Sequence, residues 1–137
     1  MDSETYTLFE IGNTDFGGVV RYKAHYEGGN IIVAANWCHG KGGDEYRGLN
    51  TVERTFAYGF KVVGDTLTIK SLKARPMKII NHENKLKATL PINGQNSILD
   101  YVFVTTKKTL GIPGVDHLDI SGFRLDNGEP ISEVYRK

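Results

Sequence analysis

The sequence predicts an all-β domain on three observations: short stretches rich in Val, Ile, Thr, Tyr and Phe, glycine-centred turn signals between them, and no window of helical periodicity. Sixteen glycines against four prolines, spread along the chain, supply the turns. With 137 residues, 39% of them hydrophobic, there is material for one ordinary core, so a single domain over 1–137 is expected.

The first strand is expected over Thr5–Ile11 and the second over Val19–Tyr26, after breaks at Gly12-Asn13 and Gly17-Gly18. In the second, Val20, Tyr22, Ala24 and Tyr26 share one face while Arg21, Lys23 and His25 share the other, the alternation of a half-buried strand. Glu27-Gly28-Gly29-Asn30 turns the chain into Ile31–Trp37, which is apolar on both faces and is expected to be central and covered. Phe56–Val63 and Thr66–Lys73 form a hairpin about Gly64-Asp65, with glycine first as a type II′ turn prefers. Met77–Asn81 and Lys85–Leu90 pair around His82-Glu83-Asn84, with Leu86, Ala88 and Leu90 inward and Lys85, Lys87 and Thr89 in water. Ile98–Thr106 is a long strand, and Leu118–Leu125 pairs with Ile131–Tyr135 through the Asn127-Gly128 turn signal. Pro91–Ser97 and Thr109–Asp116 read as turn-rich connections.

About nine strands joined mainly by hairpins fit a single antiparallel β-barrel, calycin-like or similar, of eight to nine strands, with a two-sheet β-sandwich as the alternative. The repeat of a trefoil is not visible.

Composition narrows the function. Seventeen Lys and Arg against sixteen Asp and Glu give a net charge of +1, so no overall field holds the chain on nucleic acid or an anionic membrane. The seven basic residues between positions 61 and 87 alternate with apolar ones and read as a solvated face. One cysteine, Cys38, allows no internal disulfide, and an acidic start without a long apolar run points to a soluble, cytoplasmic protein. No metal and no cofactor is expected: His117 and Asp119 share a strand face, opposite Asp116 and Leu118, and two ligands do not make a site.

The segment Trp37–Asn50 concentrates four glycines and many reactive side chains in one connection, and loops of that length in small domains tend to carry function. It lacks the spacing of a P-loop. Trp37 and Tyr46 offer an aromatic platform and Asn36, Asp44, Arg47 and Asn50 polar groups, which suits a carbohydrate or other polar small ligand; Tyr22 and Tyr58 are added as candidate lining of a cavity. The alternative is a cofactor-independent isomerase or cyclase with a tyrosine-lined cavity and His39, Asp100 and Tyr101 as catalytic groups. A protein-interaction or inhibitor module is a third class. Asp100 breaks the pattern of its strand, on the same parity as Ile98, Val102 and Val104; it reads first as a strand-end carboxylate in water and otherwise as a group placed in a cavity, with a pairing to Arg124 as the economical structural answer to its charge.

Overall fold

Eleven strands and one short helix make up the structure, a computed structural model that describes residues 4–13, 18–56, 58–109 and 112–136. The strands are β1 (Tyr6–Asn13), β2 (Val19–Glu27), β3 (Asn30–Cys38), β4 (Glu45–Gly48), β5 (Phe60–Val63), β6 (Thr66–Ile69), β7 (Met77–His82), β8 (Lys85–Ile92), β9 (Gln95–Thr109), β10 (Ile112–Arg124) and β11 (Pro130–Arg136). Helix α1 (Thr51–Phe56) follows β4, and a single 3-10 turn, Lys70–Leu72, follows β6. The all-β class holds. Among the described residues no helix is long and apolar enough to cross a membrane.

All strands join one sheet in the order β4-β3-β2-β1-β9-β8-β7-β6-β5, with β10 on the far edge of β9 and β11 beyond it. The sheet is not closed. Every pairing is antiparallel except β1 with β9, which run parallel. Strand β9 organises the rest. One edge carries β10 over most of its length, while the other is shared, β8 pairing with residues 95–98 and β1 with residues 101–104. At Leu99 and Asp100 the sheet therefore forks into two branches.

Two β-bulges flank this fork. In the β1–β2 register Thr7 pairs with Lys23 and Phe9 with Tyr22, which leaves Leu8 as the extra residue. In the β9–β10 register Leu99 pairs with Gly122 and Tyr101 with Ser121, which leaves Asp100 extra. An extra residue reverses the alternation that follows it. Ser97 and Leu99 are buried before the bulge, Val102 and Val104 after it, and Asp100 between them points to solvent. The carboxylate that strict alternation aims at the core is thereby turned out of it, and Arg124, expected as its partner, instead grips Asp126. A third bulge at Asp116 sets that carboxylate beside the His117 ring (Oδ2 to Nδ1 2.7 Å), where simple alternation places it on the opposite face.

Several turns follow their residues. Gly28 and Gly29 both take positive φ between β2 and β3, and Gly64 does so at the head of the Gly64-Asp65 turn. The β7–β8 loop is tighter than expected, because His82 pairs with Lys85 and only Glu83 and Asn84 turn, both at positive φ. The stretch Pro91–Ser97 is not a connection: Asn93-Gly94 closes a two-residue hairpin, and β8 and β9 extend through it. The expected connection Thr109–Asp116 is likewise mostly strand, although residues 110 and 111 lie outside the described residues, as does Gly17 of the break before β2. Around Asn127-Gly128 only Gly128 has positive φ, and the loop spans residues 125–129, held by Arg124 N–H to Glu129 C=O at 2.9 Å.

Two further expectations are corrected. Helix α1 replaces the start of the strand expected from Phe56; six residues are too few to show a helical period. Strand β3 is not covered on both sides, since Ile32 is 40% exposed and Ala34 is exposed. The core lies on the opposite face, around Phe9, Ile11, Tyr22, Trp37, Leu67 and Leu118. Tyr22 stacks on Phe9 with ring centroids 4.8 Å apart, and Trp37 meets Tyr58 edge-on at 5.4 Å.

Candidate functional site

The fork opens a groove of about 580 Å³. Its floor is apolar, from Leu8, Phe9 and Leu99, all nearly fully buried, with Ile98 beside them. Its rim is polar: Thr7 and Glu10 of β1, Arg21 of β2, Lys87 of β8 and Asp100 of β9. Lys41 and Gly42 form one wall, and the exposed Phe123 ring of β10 forms another side. A second, shallower hollow adjoins it, sharing Asp100 and Phe123 and adding Ser121, Ser132 and Pro130. Both bulged residues line this groove, so the irregularities of β1 and β9 converge on one place. Bulges are devices that re-aim side chains, often beside functional sites.

The wall is the turn between β3 and β4, and the chain folds it down onto the outer face of β1 and β2. Gly40 and Gly42 adopt positive φ, Gly43 N–H bonds Gly40 C=O at 3.0 Å, and His39 N–H bonds Asp44 C=O at 2.9 Å. The buried Glu10 carboxylate accepts from Gly42 N–H at 3.0 Å and from Arg21 Nε at 2.8 Å. Arg21 reaches on to Gly43 C=O at 2.6 Å. Glu45 continues the network, taking Lys23 Nζ at 2.8 Å and Asn36 Nδ2 at 2.7 Å, and these two donors hold its carboxyl below the usual range.

Lys41 crosses the groove's edge, with its ammonium 3.5 Å from Asp100 Oδ2 and 4.7 Å from the centre of the Tyr101 ring. Such a cation–π contact at an exposed site is worth about 0.5–1 kcal/mol. Burial pushes the Tyr101 hydroxyl pKa up. Lys87 is half-buried on the opposite rim, and no described carboxylate comes within 4.0 Å of its ammonium. The groove therefore offers an ammonium, an ion pair, a hydroxyl and an exposed aromatic ring over an apolar floor.

The expected ligand residues are dispersed. Tyr22 and Tyr58 are buried in the core, where the Tyr22 hydroxyl donates to Tyr58 C=O at 2.7 Å and the Tyr58 hydroxyl accepts from Asn13; burial raises the Tyr22 pKa well above its ordinary value. Trp37 is 2% exposed and lies under the Arg47 guanidinium, 5.3 Å from the ring centre. Arg47 grips Glu53 with both terminal nitrogens at 2.9 Å. Asn50 caps α1: its side chain accepts from Glu53 N–H, and Glu53 returns the bond to Asn50 N–H, both at 2.9 Å, the reciprocal capping box. Arg47, with help from the Asn50 amide and the Trp37 indole, lowers the Glu53 pKa to about 2. His39 and Tyr46 remain exposed and stack on each other with centroids 4.3 Å apart, and Asp44 is exposed beside them.

Of the expected residues, Asp100 lines the groove and Tyr101 sits behind Lys41; His39 and Asp44 lie elsewhere on the turn and Tyr46 on β4. Leu8, Lys87 and Phe123 were not foreseen. The adjacent apolar pair Leu8-Phe9 in a strand of period two was a usable sign of the bulge. Among the described residues no group of three or more His, Cys, Asp or Glu side chains gathers to hold a metal ion.

No curated protein and no solved structure matches this chain. Residues 21–134, from β2 through most of β11, match the family described as Domain of unknown function (DUF4833), and the chain belongs to that family.

Proposed function

We propose that the protein binds a polar small molecule of the carbohydrate class in the fork groove, with the β3–β4 turn as one wall. The observation that carries this is the convergence of two bulges on a recess whose apolar floor is ringed by Lys87, Asp100, Lys41 and Thr7. Sugars present apolar C–H faces and hydroxyl edges, so their sites pair an aromatic surface with planar acceptors and donors. Phe123 supplies the surface and Asp100 the acceptor. The Lys87 ammonium, with no described carboxylate within 4.0 Å, favours a sugar that carries a carboxylate. In this reading the forked sheet curls as an incomplete barrel, and a reducing cytoplasmic setting suits the single buried thiol of Cys38. The isomerase or cyclase alternative calls for a cavity lined by Tyr22 and Tyr58, and neither residue lines the fork groove, the hollow beside it or the two recesses along β3.

The test is a thermal-shift screen with neutral sugars and uronic acids, because a ligand bound only by the folded state raises the Tm in a concentration-dependent way. A uronic acid should raise the Tm of the native protein and lose that effect in Lys87→Ala. If no sugar moves the Tm, or if every hit survives both Lys87→Ala and Asp100→Ala, the groove is not a carbohydrate site.

A further inference from the structure

Strands β3 and β5 each leave one edge bare. Among the described residues Asn30–Ala35 pair with β2 on one side and with nothing on the other, since β4 takes up that edge only from Asn36. Among the described residues Phe60–Val63 likewise pair with β6 alone. The two bare edges face each other. Their Cα atoms approach within 8 Å, and the gap widens into two recesses of about 780 and 560 Å³ that meet at Val33 and Phe60. A strand edge is a row of N–H and C=O groups at fixed spacing, and an extended backbone is what satisfies it.

Strand direction decides what fits. From β3 the path runs through β2, β1, β9, β8, β7 and β6 to β5, and every step is antiparallel except the parallel step between β1 and β9. Across the gap, however, β3 and β5 run opposite ways: Asn30–Val33 lie beside Val62, Gly64 and Asp65, and Ala34–Asn36 beside Gly59 and Phe60. One added strand antiparallel to β3, whose bare edge is the longer, runs parallel to β5 and bridges the two. It needs a gap of two strand spacings, about 9.6 Å, so it enters from the wider recess beside Asn30–Val33 and parts the edges slightly at the pinch.

The slot also has a charge direction. Asp65 lies at the end where β3 begins, and Arg54 and Lys70 lie at the end toward which β3 runs. Along the slot the lining is apolar, and Ile32 and Val63 stay exposed at 40% and 64%. Strand β3 carries no charged residue along this edge, whereas β5 carries the exposed Lys61, the kind of charge with which natural sheets protect an edge.

We propose that this slot docks an extended segment of a partner protein, one apolar along its length and acidic at its N-terminal end. Running antiparallel to β3 sets that end beside Arg54 and Lys70. The surface is separate from the fork groove, so either site can fail without the other.

The experiment pans a displayed library of random heptapeptides against the native protein and against Ile32→Lys, which places a charge on the edge at an exposed side chain. An unchanged Tm confirms that the variant folds. The expected result is enrichment of peptides alternating in β-branched residues with Asp or Glu near the N-terminus. Synthetic copies should bind Ile32→Lys about tenfold more weakly or worse, as lost edge pairing implies, and should slow amide exchange in β3 and β5. Arg54→Glu with Lys70→Glu should abolish the acidic preference. The proposal is overturned if no peptide is enriched, if peptides bind Ile32→Lys equally well, or if light scattering shows a native dimer that Ile32→Lys dissolves, because the slot then serves a second copy.

Discussion

The Gly42 amide donates to the Glu10 carboxylate at 3.0 Å, and this bond joins the tip of the β3–β4 turn to a buried charge in the middle of the sheet. Glu10 is shared with Arg21, whose side chain is itself only 15% exposed. The wall of the groove therefore rests on an ion pair held largely out of water.

Removing one partner of such a pair strands the other. Glu10→Ala should lower stability by about 2 kcal/mol, less than a fully buried pair loses because Arg21 keeps Glu45 and Gly43 C=O nearby. Glu10→Gln retains an acceptor and should cost roughly half as much. Urea unfolding measures both, and amide exchange at Gly42 should quicken in each.

The Glu53 carboxyl has a pKa of about 2 in the folded protein against an ordinary 4.5. A folded-state pKa below the unfolded one stabilises above the unfolded value, and the contribution is lost as pH falls through the window from about 4.5 to about 2. Glu53→Gln should therefore lower the urea midpoint at pH 7 and leave it close to that of the native protein near pH 2. A difference that is the same at both pH values would assign Glu53 no such role.

Gly122 stands opposite Leu99 at the bulge, and a Cβ there would meet the carbonyl oxygen of Ile98, a backbone atom that cannot step aside. Gly122→Ala should cost about 1–3 kcal/mol, the range for overpacked sites. It should also move the Asp100 amide resonance, because the strands must separate where Asp100 is turned outward.

Alternation along β2 and the glycine turns made the fold class legible, since both depend on neighbours in sequence. The branching of β9 was not legible. It arises from a parallel pairing between β1 and β9, about ninety positions apart, and no turn chemistry announces it. Asn93-Gly94 was as clear a hairpin signal as Gly64-Asp65, but Pro91 beside it argues against a strand. For the site, the sequence marked Asp100 as out of pattern and the structure supplies the cause, a bulge. Trp37, Arg47 and Asn50 drew attention by type and proximity, yet they serve the α1 cap and the core beneath it. Lys87 was passed over because alternation put it in water, and its place on the groove rim depends on where β8 leaves β9.

The most direct measurement is a two-dimensional amide NMR titration of the labelled protein with galacturonic acid and glucuronic acid, beside glucose as the neutral control. Binding in the fork groove predicts saturable shifts confined to Leu8, Phe9, Lys41, Gly42, Lys87, Asp100 and Phe123, larger for a uronic acid than for glucose and absent in Asp100→Ala. Saturable shifts centred instead on the exposed His39 and Tyr46, or no saturable shifts with any of the three sugars, would contradict it.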